Sequence, residues 1–183
     1  MNPHEQVATF ANGCFWCTEA VFKRVKGISS VVSGFSGGKR ENPTYDQVAT
    51  GATGHAECIQ VVFDPSIISY ETLLDIFFAT HDPTTLNQQG YDVGEEYRSA
   101  IFYHTEEQKK TAEEKIKKLN KSEKYSDPLV TELTPFTNFY PAGSEHQNFY
   151  ESGKRPDYCR VIIDPKIQKL FKEFAKEVKE KYK

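Results

Sequence analysis

The chain has few cysteines and almost no methionine, four and one in 183 residues. Four thiols scattered from Cys14 to Cys159 are too sparse for the disulfide lattice of a small secreted scaffold. The scarcity of methionine excludes nothing. No apolar run approaches the roughly 18 residues that a bilayer span demands, so no membrane segment is expected. The opening MNPHEQVATF has no basic start followed by an apolar stretch, which a secretory signal requires. Excess positive charge is missing too. Net charge is -3, which removes any electrostatic pull toward nucleic acid or an anionic membrane. No internal repeat, low-complexity segment or linker divides the chain. We therefore expect a soluble cytoplasmic protein with reduced thiols, a single domain over residues 1–183, and a monomer.

Aromatic residues are plentiful at 13%, enough for a real core. Residues 6–13, 28–38, 57–64 and 97–104 read as strands, rich in β-branched and aromatic side chains and bounded by turn formers. Residues 14–27 read as a helix stopped by Gly27, with Ala20, Val21, Phe22 and Val25 apolar. A second helix over 69–82 opens on a Ser69 cap, with Thr72 where an acid is usual. A third over 105–121 has Thr105 as cap and glutamates in its first turn. Residues 129–136 suit an edge strand and 144–152 a short helix. The stretch 165–183 reads as a Lys-rich terminal helix, its apolar Ile167, Leu170, Phe171, Phe174 and Val178 three and four apart. The charge runs at 106–124 and 166–183 are read as solvated helix faces. Strands alternating with helices give a layered α/β or α+β domain. Two long loops, 39–56 and 83–96, are of the kind that carries function; the first has room for one helical turn.

The stretch ANGCFWCTEAVF, residues 11–22, sets Cys14 and Cys17 on either side of Phe15 and Trp16, the only tryptophan. Cys14 falls where a strand turns into a helix. A thiol there faces unpaired N–H groups and the positive end of the dipole, and both favour the nucleophilic thiolate. Cys17 lies about one turn further and can approach it, as in other C-x-x-C sites. Both also read as small core residues. A dithiol that serves protein disulfides usually has small residues or proline between its sulfurs. Two large rings instead suit an apolar pocket for a small group on a soft atom, since sulfur contacts aromatic rings favourably, by about 0.3–1.5 kcal/mol. Packed core is the ordinary alternative for both rings. Zinc is not expected, because no second ligand pair follows at zinc-finger spacing.

The motifs GCFWCTEAVF, GGKRENPTYDQV, TGHAECIQVVFDP, ISYETLLDIFFATHDPTTLNQQGYDVGEEYRS and AGSEHQNFYE follow one another along the chain. In that order they resemble the peptide methionine sulfoxide reductase A family, over about residues 7–163. Phe35 in SGFSGG departs from the family's usual Tyr, with a packing change expected. The resemblance implies an α+β fold: a two-layer α/β sandwich with a ferredoxin-like split βαβ core, a mixed sheet and long functional loops. It implies that Cys14 attacks the sulfur of methionine sulfoxide, S-epimer, free or in peptides. Phe15 and Trp16 would hold the methyl group and Glu57 would be the acid. Tyr45 and Tyr97 would hydrogen-bond the sulfoxide oxygen, with Asp92 supporting them. Attack leaves a sulfenic acid; Cys17 or Cys159 then condenses with it, and thioredoxin, or dithiothreitol in vitro, reduces the disulfide. No bound cofactor and no metal is implied.

These roles are chemically coherent. A sulfoxide oxygen leaves poorly until protonated, and a carboxyl in an apolar site has the raised pKa that proton transfer at neutral pH requires. Two tyrosine hydroxyls can donate to the oxygen as its charge grows. Taken singly, each residue has a bland reading: Tyr45 and Tyr97 as half-buried aromatics, Glu57 as an edge charge, Asp92 as a turn stabiliser. Cys58, inside a buried strand, is read as inert, His55 as structural and His81 as a helix-end residue. Two rivals stand beside the reductase. One is a general thiol–disulfide oxidoreductase using Cys14 and Cys17, against which the lack of a cis-Pro loop signature speaks. The other is a module that grips oxidised methionine without turnover.

Overall fold

The computed structural model describes residues 4–183. In chain order the strands and helices are β1 (Gln6–Asn12), α1 (Phe15–Phe22), β2 (Ile28–Ser36), α2 (Tyr45–Val48), β3 (Ala56–Phe63), α3 (Tyr70–Ala79), β4 (Gln88–Gln89), β5 (Asp92–Val93), β6 (Ser99–Tyr103), α4 (Glu106–Lys121), β7 (Glu132–Pro135), β8 (Tyr140–Pro141), α5 (Pro156–Tyr158) and α6 (Asp164–Glu173). Six strands form one mixed sheet in the order β7-β6-β1-β3-β2-β8. All neighbours are antiparallel except β6 and β7. Within it β6-β1-β3-β2, joined through α1 and α3, is the split βαβ arrangement expected.

Side chains of a strand alternate between faces, and the alternation sorts this sheet. Ala8 and Phe10 of β1, with Ile59, Val61 and Phe63 of β3, join α1 and α3 in the main core. Ala11, Cys58, Ala100 and Phe102 pack on the opposite face. Phe10 anchors the first layer, its ring 5.5 Å from Phe22 and 5.3 Å from Phe77. The same alternation turns Glu57 toward α1. Its register partner on β2 is Phe35, whose ring packs 5.6 Å from Phe15.

Caps explain the helix starts. Thr44, Ser69 and Thr105 each accept a bond from the backbone three residues on. The second long loop is more ordered than expected. It folds into the β4-β5 hairpin, turned by Gly90 at φ 61°, and a 3-10 turn over Glu95–Tyr97.

Four expectations are corrected. The first helix ends at Phe22 instead of running to Gly27, and the terminal helix ends at Glu173 instead of spanning 165–183. One cause serves both. Val25 bridges to Val178, Lys26 N donates to Glu177 O and Lys179 N to Arg24 O. Pairing of these two segments satisfies backbone that longer helices would have used. The stretch 144–152 is a single 3-10 turn, Ser144–His146. Beyond it, Glu19 accepts the backbone N–H groups of Asn148 and Phe149, and Gln147 is bonded to both backbone groups of Ser33. The charged face of α4 is not wholly solvated either: Lys115 is buried and bonds Glu71 at 3.0 Å and Asp75 at 2.8 Å. Among the described residues, no helix is long and apolar enough to cross a membrane.

Candidate active site

Cys14 occupies the position before α1, with no side-chain cap of its own. Glu57 supplies one from across the sheet: its Oε2 accepts the Phe15 N–H at 3.0 Å. Gly13 precedes the thiol at φ 93°, and a side chain there would collide with Gln89 of the β4 strand. A glycine is what lets the hairpin approach the helix mouth.

The two thiols act as a pair. Burial pushes Cys14 well above the usual thiol range, reinforced by the hydrogen bond and charge of Cys17 and by the charge of Glu57. Cys17 is lowered to about 7, chiefly by its hydrogen bond with Cys14, and Lys166 adds to this. The pair therefore gives up one proton near neutrality and holds the second strongly. A helix terminus alone favours a free thiolate on Cys14; burial, at 7% exposure, outweighs it and raises the thiol.

Glu57 is pushed up to about 8. Burial is the main cause, the Phe15 N–H opposes it, and the charges of Asp92, Cys17 and Glu96 add to it. The group is thus a carboxylic acid at neutral pH, beside the thiol. Phe15 and Trp16 are buried with it. Tyr45, the first residue of α2, packs 6.1 Å from the Phe15 ring and 6.3 Å from Trp16. Burial raises its hydroxyl to about 12 and that of Tyr97 further, with Glu57 next in each case, so both remain donors. Asp92, at the turn of the β4-β5 hairpin, is raised by burial while Lys166 and Arg155 oppose. The thiols open on a cavity of about 230 Å³, whose other walls are Gln89–Asp92 of the hairpin and Val161, Ile162, Pro165 and Lys166.

Cys14, Cys17, Phe15, Trp16, Tyr45, Glu57, Asp92 and Tyr97 thus gather from five separate stretches. Cys159 lies near them in a π-helical turn between α5 and α6. It is buried, and its Sγ lies 3.4 Å from Lys154 O. Cys58 is buried on the far face, its thiol raised by burial. His55 accepts the Gly38 N–H, and His81 sits at the end of α3 bonded to Phe77 O and Ser99.

Sequence reasoning missed Tyr158. Its hydroxyl is 3.9 Å from Cys17 Sγ and its ring meets Trp16 edge-on at 5.9 Å. It also missed His146 and Phe149, which flank the indole. The only signals available were adjacency to Cys159 and membership of the AGSEHQNFYE motif. Among the described residues no cluster of His, Cys, Asp and Glu could hold a metal ion.

A thiol pair, a neutral buried carboxyl and an aromatic cage suit reduction of a sulfur–oxygen bond, and comparison with known proteins agrees. Peptide methionine sulfoxide reductase matches residues 6–179. The chain belongs to this family. The enzyme is therefore an oxidoreductase that reduces methionine sulfoxide with thiols. The MsrA of Sulfolobus acidocaldarius is 58% identical over 169 residues, covering 92% of this chain and 95% of that one. Reduced Mxr1 from Saccharomyces cerevisiae has a TM-score of 0.73 at 31% identity, covering 85% of this chain and 89% of that one. Mxr1 in complex with Trx2 has a TM-score of 0.51 at 26% identity, covering 81% and 87%.

Proposed function

We propose that Cys14 is the nucleophile and Glu57 the acid in reduction of the S-epimer of methionine sulfoxide, free or peptide-bound. Phe15 and Trp16 enclose the methyl group. Tyr45 and Tyr97 donate to the sulfoxide oxygen, and Asp92 supports them. The observation that carries this reading is the Glu57 carboxyl, buried, bonded to the Phe15 N–H at 3.0 Å and protonated up to a pH of about 8. As Cys14 sulfur attacks, the sulfur–oxygen bond of the substrate breaks and the oxygen passes to Cys14. Glu57 supplies its proton and regains one from the thiol pair. The products are a thioether and a sulfenic acid: the substrate sulfur gains two electrons and Cys14 loses them.

Cys17, three residues from Cys14 and opening on the same cavity, is supported as the cysteine that condenses with the sulfenic acid, expelling water. Cys159 is the second candidate, supported by its charge interaction with Cys17. The complex of Mxr1 with Trx2 supports thioredoxin as the reductant, acting by thiol–disulfide exchange, with dithiothreitol replacing it in vitro. No bound cofactor is needed. That recycling requires a reducing compartment, so a cytoplasmic location away from membranes belongs to the proposal. A monomer acting as a single catalytic domain completes the proposal.

The test uses the separated epimers of methionine sulfoxide with excess dithiothreitol, then mass mapping of the disulfide formed when the reductant is withheld. Turnover of the S-epimer alone and a Cys14–Cys17 bridge are expected. Equal turnover of both epimers, or none, rejects the reading.

A further inference from the structure

The AGSEHQNFYE motif has no part in the chemistry above, yet its loop wraps the indole. His146 is 8% exposed. Its ring lies 4.2 Å from Tyr45 and 5.8 Å from Trp16, within 13° of the indole plane. Trp16 Nε1 donates to His146 Nδ1 at 3.3 Å. An indole N–H only donates, so Nδ1 holds the lone pair and Nε2 the proton, which faces Glu145 Oε1 at 3.5 Å. Phe149 covers the indole face at 3.8 Å and 6°.

The loop is anchored at both sides. Glu19, one turn beyond Trp16 on α1 and 1% exposed, accepts from Asn148 N at 2.8 Å and Phe149 N at 3.4 Å. Gln147 grips β2, accepting from Ser33 N at 3.0 Å and donating to Ser33 O at 2.8 Å. Phe149 closes one face of the indole. The hydrogen bond fixes its tilt. The same imidazole lies 5.7 Å from the Phe15 ring and braces Tyr45, so one ring touches both walls of the methyl cage and a donor to the oxygen.

We propose that His146 is a positioning residue that, by accepting from Trp16 and bracing Tyr45, sets the width of the methyl cage and the preference for methyl over larger alkyl sulfoxides. This rests on the reading of Trp16 as a cage wall. A single methylene in an apolar pocket changes specificity about 10–200-fold, so cage width is measurable with ethionine sulfoxide against methionine sulfoxide.

Two variants separate the parts of the device. His146→Phe keeps an aromatic ring and loses the acceptor; His146→Asn keeps an acceptor near the Nδ1 position and loses the ring. The lone tryptophan gives a single indole N–H signal in a ¹⁵N-labelled protein, read without substrate. In His146→Phe that signal moves upfield and exchanges faster, and in His146→Asn it stays closer to wild type. With substrate, KM for methionine sulfoxide rises about tenfold in His146→Phe while kcat stays within about threefold. The methyl-over-ethyl preference falls about tenfold and is partly restored in His146→Asn. An unmoved indole signal, or an unchanged preference in His146→Phe, overturns the assignment. Trp16→Leu then identifies what failed: a preference lost there confines the error to His146, and one retained there removes the cage itself.

Discussion

Replacing Glu57 by Gln isolates the proton from everything else the side chain does. Gln keeps the volume and an oxygen for the Phe15 N–H, whose bond to Glu57 is 3.0 Å. It resembles the neutral carboxyl that occupies the site below a pH of about 8, but has no proton to give. General acid catalysis contributes about 10²–10⁴-fold, so the first half-reaction slows by that factor. The wild-type rate also falls about tenfold per pH unit above 8 as the acid is lost, and the variant lacks this limb. Stability carries a second signature of the same proton. Burial raises the folded carboxyl from 4.5 to about 8, so between those values the folded state binds more protons than the unfolded chain. Wild-type stability therefore falls as pH rises through that window and levels off above it. One pKa unit is 1.36 kcal/mol, so the loss across the whole window is on the order of 5 kcal/mol, about 3 kcal/mol of it above pH 6, and Gln avoids it. The assay is single-turnover methionine release from pH 6 to 9, paired with urea unfolding at the two ends. An unchanged single-turnover rate, or a variant whose stability falls with pH as the wild type's does, refutes the reasoning.

Tyr158→Phe removes a hydroxyl whose hydrogen bonding lowers both Cys14 and Cys17. The midpoint of thiol alkylation with pH should rise; a midpoint that stays or falls contradicts the contact. Phe10→Ala empties a fully buried site flanked by Phe22, Tyr70 and Phe77. It should cost about 3–5 kcal/mol and lower Tm by on the order of 10 °C, as calorimetry can measure. A loss below about 1 kcal/mol denies Phe10 its place at the centre of the core.

What was legible in the sequence is local. The β-branched and aromatic content of QVATFANG and ECIQVVFD, bounded by turn formers, defined the two central strands, and Ser69 and Thr105 announced their helices through bonds to residues three positions away. The failures are contacts between distant segments. Val25 and Val178 are 153 positions apart (178 − 25), and no periodicity in KEFAKEVKEKYK reveals that its end leaves the helix to pair with them. His146 reaches Trp16 across 130 positions and Tyr158 reaches Cys17 across 141, so neither is visible from spacing. The electrostatics of Cys14 failed for a different reason. The helix terminus is a local signal and was legible, but burial depends on the segment around Tyr158–Lys166 that closes the cavity, and it dominates. Phe35 packs against Phe15 and lies opposite Glu57.

The account stands on oxygen passing from the substrate to Cys14. The direct measurement is a single turnover by the Cys17→Ser, Cys159→Ser double variant with S-methionine sulfoxide, no reductant, and dimedone present to trap sulfenic acid, followed by peptide mass mapping. One methionine per enzyme molecule and a dimedone adduct on Cys14 are predicted. Methionine formed with no adduct there, or an adduct on Cys58, contradicts the account.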